Sequence, residues 1–376
     1  MKILQVASFI GNIGDNASHM GFRNILNQII GNDYQIDELE IRKFYKNYNL
    51  SDKSYFDKNF ATLANQYDLL FIGGGGFLDY WIDGSCNGTS FDISESILDC
   101  IEIPIIIGSV GSRPHKAVPK GNIEKYKRFL IYINSRENMY VLLRNDGSKE
   151  HLEKEFGNNL VNDIPEILDH AFFYLPPPQL CKIFDRKYIL INSTLDQLKM
   201  QSDTNNLTSK EYHEEMRRVI QFIITKTIYD VLFAPHIYND INAAIQLLDG
   251  IDDYNIRKRI KIAPYIQGNE GANFIFNLYN DSVMNIGMRF HANVCSLGLG
   301  KTTVGLSALS RVQCMYNSIN NPNVIKIKKN FSDVIIKKIS GLNASNNPNN
   351  ISYLKNLMED TKSKYSMIFK NIIRIQ

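Results

Sequence analysis

Short apolar runs alternating with amphipathic stretches, from one end of the chain to the other, restrict its fold more than any other sequence feature. In the first half the runs fall at residues 3–7, 69–72, 103–107 and 139–143, with helical stretches at 17–30, 123–133 and 148–156. The runs lack polar alternation, as expected for parallel strands covered on both faces. Alternating strands and helices imply right-handed crossovers and an open, doubly wound sheet. The pattern breaks at Tyr174-Leu-Pro-Pro-Pro-Gln-Leu-Cys-Lys-Ile-Phe-Asp185, where three prolines exclude a helix or a central strand. It then restarts, with strands expected at 188–192, 231–234, 260–263, 283–286 and 303–306 and helices at 210–225, 239–248, 272–278 and 292–297.

The expected architecture is α/β, with two Rossmann-like doubly wound domains at 1–174 and 187–345 joined by a Pro-rich linker at 175–186. A cleft between them would be lined by strand C-terminal ends, where open α/β sheets bind ligands. The tail, 346–376, has an amphipathic helix pattern with Lys355, Lys362, Lys364, Lys370 and Arg374 beside Leu354, Leu357, Met367 and Ile368. It is expected to pack back on the first domain with a solvated basic face; contact with an anionic membrane surface is the other reading.

Composition narrows the function classes. Forty-two basic residues face 39 acidic ones, a net charge of +3, which argues against nucleic acid as an obligate partner. The five cysteines have no pair spacing, so neither a disulfide framework nor a zinc site is indicated. No apolar run approaches the roughly 20 residues that cross a bilayer. The N-terminus reads as a buried strand rather than a signal peptide. A cytoplasmic protein is expected.

The most informative motif is Asn285-Ile-Gly-Met-Arg-Phe-His-Ala292. Arg289 and His291 stand where a strand hands over to a helix, whose first turn offers unpaired N–H groups and a positive dipole end. A guanidinium and an imidazole added there suit a phosphate or carboxylate. Gly11-Asn-Ile-Gly-Asp-Asn-Ala17 follows the first strand and opens a helix, with Asp15 or Asn16 as cap. Gly73 to Gly76 follow a buried strand, so the backbone there passes close to a ligand or to another element. Asp79, Tyr80 and Trp81 come next, a carboxylate beside two aromatics that suits a sugar. Gly108-Ser-Val-Gly-Ser-Arg-Pro114 is expected as a second small-residue loop, and Arg144 ends the following strand as a candidate anion contact. His236 and Asp240 lie in Pro235-His-Ile-Tyr-Asn-Asp240, as a ligand-facing loop or as a core histidine and a cap. Gly298-Leu-Gly-Lys-Thr-Thr303 is no P-loop, because the order is helix then strand.

In order along the chain, Gly11–Ala17, Asp68-Leu-Leu-Phe-Ile-Gly-Gly-Gly-Gly76, Gly108-Ser-Val-Gly111, Leu142-Leu-Arg-Asn-Asp146, Ile167-Leu-Asp-His-Ala-Phe172, Pro235-His236 and Arg289-Phe-His-Ala292 resemble the polysaccharide pyruvyl transferase family. The resemblance implies a GT-B-like pair of Rossmann domains. It also implies transfer of the enolpyruvyl unit of phosphoenolpyruvate onto two hydroxyls of one sugar, giving a cyclic pyruvate ketal and phosphate. No cofactor beyond that donor is implied. The Arg-x-His pair carries over as the phosphoenolpyruvate contact, with Arg144 and His236 beside it. His291 is assigned to proton transfer, and Asp15 or Asp79 to the acceptor hydroxyl. Gly14, Asn16, Gly75, Gly76, Tyr80 and Trp81 complete the expected acceptor site in the first domain, with the donor in the second. The sequence departs from the family pattern at Gly300-Lys-Thr-Thr and at Ser307-Ala-Leu-Ser-Arg-Val312. The acceptor glycan, lipid-linked or not, is unspecified; Lys326, Lys328, Lys329, Lys337 and Lys338 add to the case for membrane contact. Two other readings stay open: a GT-B glycosyltransferase using a nucleotide sugar, and a non-catalytic glycan- or anion-binding module.

Overall fold

The computed structural model describes residues 1–179, 183–200, 207–342 and 351–375. Two six-stranded, all-parallel sheets form, each flanked by helices. The first contains β1 (Lys2–Ala7), β2 (Gln35–Glu40), β3 (Leu69–Gly75), β4 (Ile105–Val110), β5 (Met139–Arg144) and β6 (Glu166–Ile167), in the order β2-β1-β3-β4-β5-β6. The second contains β7 (Tyr188–Asn192), β8 (Asp230–Phe233), β9 (Ile260–Ile262), β10 (Met284–Gly287), β11 (Thr303–Ser307) and β12 (Val324–Lys326), in the order β12-β11-β10-β7-β8-β9. The expected strands all form, because residues such as Leu70, Ile72, Ile189, Ile191 and Ile286 are fully buried and need cover on both faces.

The chain divides into two compact units. One holds Met1–Phe9, Phe22–His170 and Asn356–Gln376; the other holds Ile10–Gly21 and Ala171–Lys355. The second unit thus includes residues 10–21 and 171–174, which lie on the N-terminal side of the expected boundary at residue 174. Residues 10–21 join the second unit because the Ile13 N–H donates to the His236 carbonyl at 3.3 Å and the Tyr265 hydroxyl to the Gly11 carbonyl at 3.1 Å. Residues 171–174 join it too. The Phe172 backbone lies against Gly298, and the Tyr174 hydroxyl donates to Asn273 Oδ1 at 2.6 Å. Of the expected linker, residues 180–182 lie outside the described residues, as does Cys181 among the five cysteines.

From Asn356 onward the C-terminal helix, Ile351–Ile375, belongs to the first unit, where it buries Tyr365, Phe369 and Ile372. Thr361 Oγ1 accepts from the Leu168 N–H at 3.1 Å, and the Tyr365 hydroxyl lies 2.7 Å from His170 Nε2. Lys362 and Lys364 are engaged locally, with Glu359 at 2.5 Å and Asp360 at 2.6 Å, which lowers the charge this helix can offer a membrane. The Arg374 side chain lies outside the described residues. Among the described residues no helix is long and apolar enough to cross a membrane.

Gly73 answers the question of what its backbone approaches: a Cβ there would lie 2.1 Å from the Gly108 carbonyl oxygen, so β3 and β4 need a bare backbone. The small-residue segment expected as a loop from Gly108 is strand as far as Val110.

Candidate functional site

In the second sheet the strand order reverses between β7 and β10, and crevices at such switch points hold ligands in doubly wound sheets. Arg289 follows the C-terminal end of β10 and caps the helix Phe290–Gly298 without a side-chain cap bond. Asn192 ends β7 and Thr194 and Asp196 follow it, while His236 and Asp240 follow β8. Three neighbouring strands thus bring these side chains to one edge.

Arg289 is buried, and its fork is held in place. Its Nε donates to Asp240 Oδ2 at 2.7 Å and its Nη2 to Asp240 Oδ1 at 2.6 Å, a bidentate pair. Nη2 also donates to Thr194 Oγ1 at 2.8 Å and reaches Asp196 Oδ1 at 3.3 Å, and the Arg289 N–H donates to Asn192 Oδ1 at 3.0 Å. Burial alone would favour the neutral guanidine, but Asp240 and then Asp196 hold its pKa above the ordinary arginine value. The two carboxylates differ. Asp240 is buried and also accepts from the His236 N–H at 2.9 Å, whereas the Asp196 side chain is 37% exposed and bonds to Thr194 and the Gln197 N–H. Burial raises the Asp196 pKa, but the Arg289 charge together with the bonds from Thr194, the Gln197 N–H and Arg289 leave it below the usual carboxylate value.

His291 lies in the first turn of the same helix, with Nδ1 3.5 Å from Asp15 Oδ1. Asp15 sits in the first turn of the helix Ile13–Ile30, whose Gly14 N–H is capped by Asn12 Oδ1 at 3.1 Å. Asn12 therefore fills the capping role expected of Asp15 or Asn16, and Asp15 turns to the imidazole. Asn16 is buried, with its Nδ2 3.4 Å from Asn269 Oδ1. Gly14 is required by His291. A Cβ there would lie 2.4 Å from His291 Cβ and 2.7 Å from Nδ1.

His236 is fully buried rather than facing a ligand. Its Nε2 is 3.0 Å from the Tyr279 hydroxyl, and its Nδ1 has no hydrogen-bond partner among the described residues. Burial first, then the Arg289 and His291 charges, push its pKa well below the usual histidine value, so it stays neutral.

The first-unit candidates are each engaged with neighbouring groups. Arg144 is buried and bound to Asp146 at 2.6 Å, with Asp169 at 3.8 Å, in an internal ion-pair network. Asp79 is buried and accepts from the Arg113 N–H at 2.6 Å, holding a loop. Tyr80 is 2% exposed, with its hydroxyl 2.6 Å from His151 Nε2, so it cannot offer a stacking face to a sugar. The Trp81 ring is covered by the Lys116 ammonium at 4.1 Å. A Cβ on Gly75 would strike the Phe77 ring at 2.6 Å, and one on Gly76 would meet Asp79 Oδ2 at 3.0 Å, so these glycines accommodate their own loop.

The sequence reading missed Asp196, Thr194 and Asn192, and did not pair Asp240 with Arg289. A usable signal was present: Asn192-Ser-Thr-Leu-Asp196 is a polar run directly after a buried strand. Among the described residues, no three His, Cys, Asp or Glu side chains form a metal-ligating cluster.

The family model described as polysaccharide pyruvyl transferase matches residues 12–310. No curated protein matches the chain by sequence. Among solved structures, UDP-GlcNAc 2-epimerase from Methanocaldococcus jannaschii is similar, at 12% identity and a TM-score of 0.54 over 92% of this chain and 94% of that one. UDP-GlcNAc 2-epimerase from Neisseria meningitidis bound to UDP-GlcNAc is also similar, at 12% identity and a TM-score of 0.51 over 100% of both chains. At such identities the likeness shows the fold alone, which is of the GT-B class.

Proposed function

The chain belongs to the polysaccharide pyruvyl transferase family, a transferase family of polysaccharide biosynthesis, and from that premise we propose that it transfers the enolpyruvyl group of phosphoenolpyruvate to a sugar at the Arg289–His291 site. The Arg289–Asp240 fork beside an Asp15-oriented imidazole, at the switch point of the second sheet, carries this reading.

The chemistry follows from the groups in place. Protonation of the vinyl CH2 carbon turns it into a methyl group and leaves an oxocarbenium-like centre at the neighbouring carbon. One sugar hydroxyl attacks that carbon and gives up its proton, which replaces the one added to the vinyl carbon, and phosphate leaves. The second hydroxyl closes the ring, its proton departing, so the product is a cyclic ketal plus inorganic phosphate. His291 supplies the vinyl proton, and Asp15 holds its ring and stabilises the imidazolium. The donor's anionic group docks on the face of Arg289 that Asp196 occupies here. Asp240 stays in place throughout, fixing the orientation of the planar guanidinium and favouring its charged form.

Asp196 is then a competitor for the donor anion. Asp196→Asn should lower the KM for phosphoenolpyruvate several-fold, since an amide releases the guanidinium more readily than a carboxylate; an unchanged or raised KM places the anion elsewhere.

The activity itself is tested by incubating purified protein with phosphoenolpyruvate and a panel of glycans, lipid-linked ones included. Phosphate release and product mass are followed together. Expected is a product heavier by pyruvic acid less water, in step with phosphate. Glycosyl transfer from a nucleotide sugar under the same conditions, with phosphoenolpyruvate inert, supports the glycosyltransferase alternative.

A further inference from the structure

Gly300, Lys301 and Thr302, set aside above as a P-loop, line a cavity of about 810 Å³ in the second unit. It opens beneath the N-terminal ends of β7, β10 and β11, the sheet edge opposite the one that carries Arg289. Lys187, Lys301, Lys337 and Lys338 contribute to its wall, with Ser282, Thr302 and Asn323 as neutral polar neighbours. Among the described residues no carboxylate lines it. Among the described residues none of the four lysines is in an ion pair with a carboxylate; Asp281 acts on Lys301 only from a distance. Lys338 Nζ donates to Asn323 Oδ1 at 2.7 Å, a neutral partner.

Burial lowers the pKa of Lys301, with Asp281 partly restoring it, and burial does the same to Lys338. Four lysines thus share the wall of one hollow, two of them, Lys301 and Lys338, partly buried and without a carboxylate in ion-pair contact among the described residues. The arrangement is favourable once an anion is present. Ammonium groups on flexible stems take a phosphate as point charges, without the fixed fork that a carboxylate-reading arginine imposes. The hollow is also larger than a lone phosphate needs and falls within the usual size of small-molecule sites.

We propose that this cavity is a second anion site, separate from the Arg289–His291 centre, that takes a phosphate-bearing group of a soluble phosphate ester or a phospholipid headgroup.

The test uses the full chain, inorganic pyrophosphate by calorimetry, and flotation with phosphatidylcholine vesicles with and without phosphatidylglycerol. Wild-type protein should bind at least one of these probes, more weakly as salt rises. The double variant Lys301→Gln/Lys338→Gln should lose about tenfold or more in affinity, Lys301→Arg/Lys338→Arg should retain most of it, and Arg289→Gln should leave it in place. Pyrophosphate binding without flotation assigns the soluble source; flotation that needs phosphatidylglycerol and is lost in the double glutamine variant assigns the headgroup. Failure of wild-type protein to bind either probe overturns the proposal. So does a double glutamine variant that binds like wild type while folding normally by circular dichroism, which would leave the lysines as counter-charges for the helix C-terminal carbonyls ending nearby.

Discussion

Arg289→Ala is expected to abolish measurable pyruvyl transfer and to destabilise the protein, two effects with separate causes. The rate falls because the guanidinium that meets the donor anion is gone; loss of one such preorganised contact costs about 10²–10³ in rate. The stability falls because Asp240, buried at 3%, loses both of its bonds to the fork. Breaking a buried pair from one side typically costs about 3–5 kcal/mol. Arg289→Lys separates the two effects. A lysine keeps a positive charge near Asp240 but cannot donate in parallel from a planar fork. It should recover much of the melting temperature and little of kcat/KM. Thermal melts and phosphate-release kinetics on the two variants check this together. Equal recovery of rate and stability would mean that only the charge matters.

Gly14→Ala is expected to act almost as severely, although it adds only one methyl group. That methyl would lie 2.4 Å from His291 Cβ and 2.8 Å from Cγ, so the imidazole must move. Overpacking of this kind costs about 1–3 kcal/mol in stability. A displaced ring cannot deliver its proton to the vinyl carbon, and loss of a positioned acid costs about 10²–10⁴ in rate. The melting temperature should drop modestly while kcat falls by at least about 10² and KM for phosphoenolpyruvate changes little. His291→Ala should match it in kcat while leaving Gly14 unstrained. A Gly14→Ala protein with normal kcat would show that the ring is not the proton donor.

The fold was legible because its signal is local. Buried central strands such as 69–72 and 188–192 are apolar throughout and could be read from their own residues. What escaped notice lies at the sheet edges. β2, Gln-Ile-Asp-Glu-Leu-Glu, is half exposed along its length, so its residues carry the mixed polarity of a surface segment. β12 spans three residues and buries one of them, too little for any periodicity. The helices Ser310–Ser318 and Phe331–Ser340 were also unread.

The site was legible only where its chemistry is contiguous. Arg289 and His291 stand one residue apart at a strand-to-helix turn, and that spacing exposed them. Their partners come from distant segments: Asp240 through a neighbouring strand, Asp196 from the loop after β7, and Asp15 from the N-terminal helix. No spacing rule encodes such pairings, which arise from strand order. The same limit applies to Arg144 and Tyr80, whose internal partners no spacing rule encodes. Each stands at a strand end or beside a glycine run, as a ligand contact would, yet each is satisfied internally, by Asp146 and by His151.

Saturation-transfer NMR of phosphoenolpyruvate with the wild-type protein and with Arg289→Gln goes most directly to the identity of the donor. A strong transfer signal to the vinyl protons with wild type, lost in the variant and not displaced by nucleotide sugars, is expected. Transfer to a UDP-sugar with none to phosphoenolpyruvate would contradict the assignment of the Arg289–His291 site to enolpyruvyl transfer.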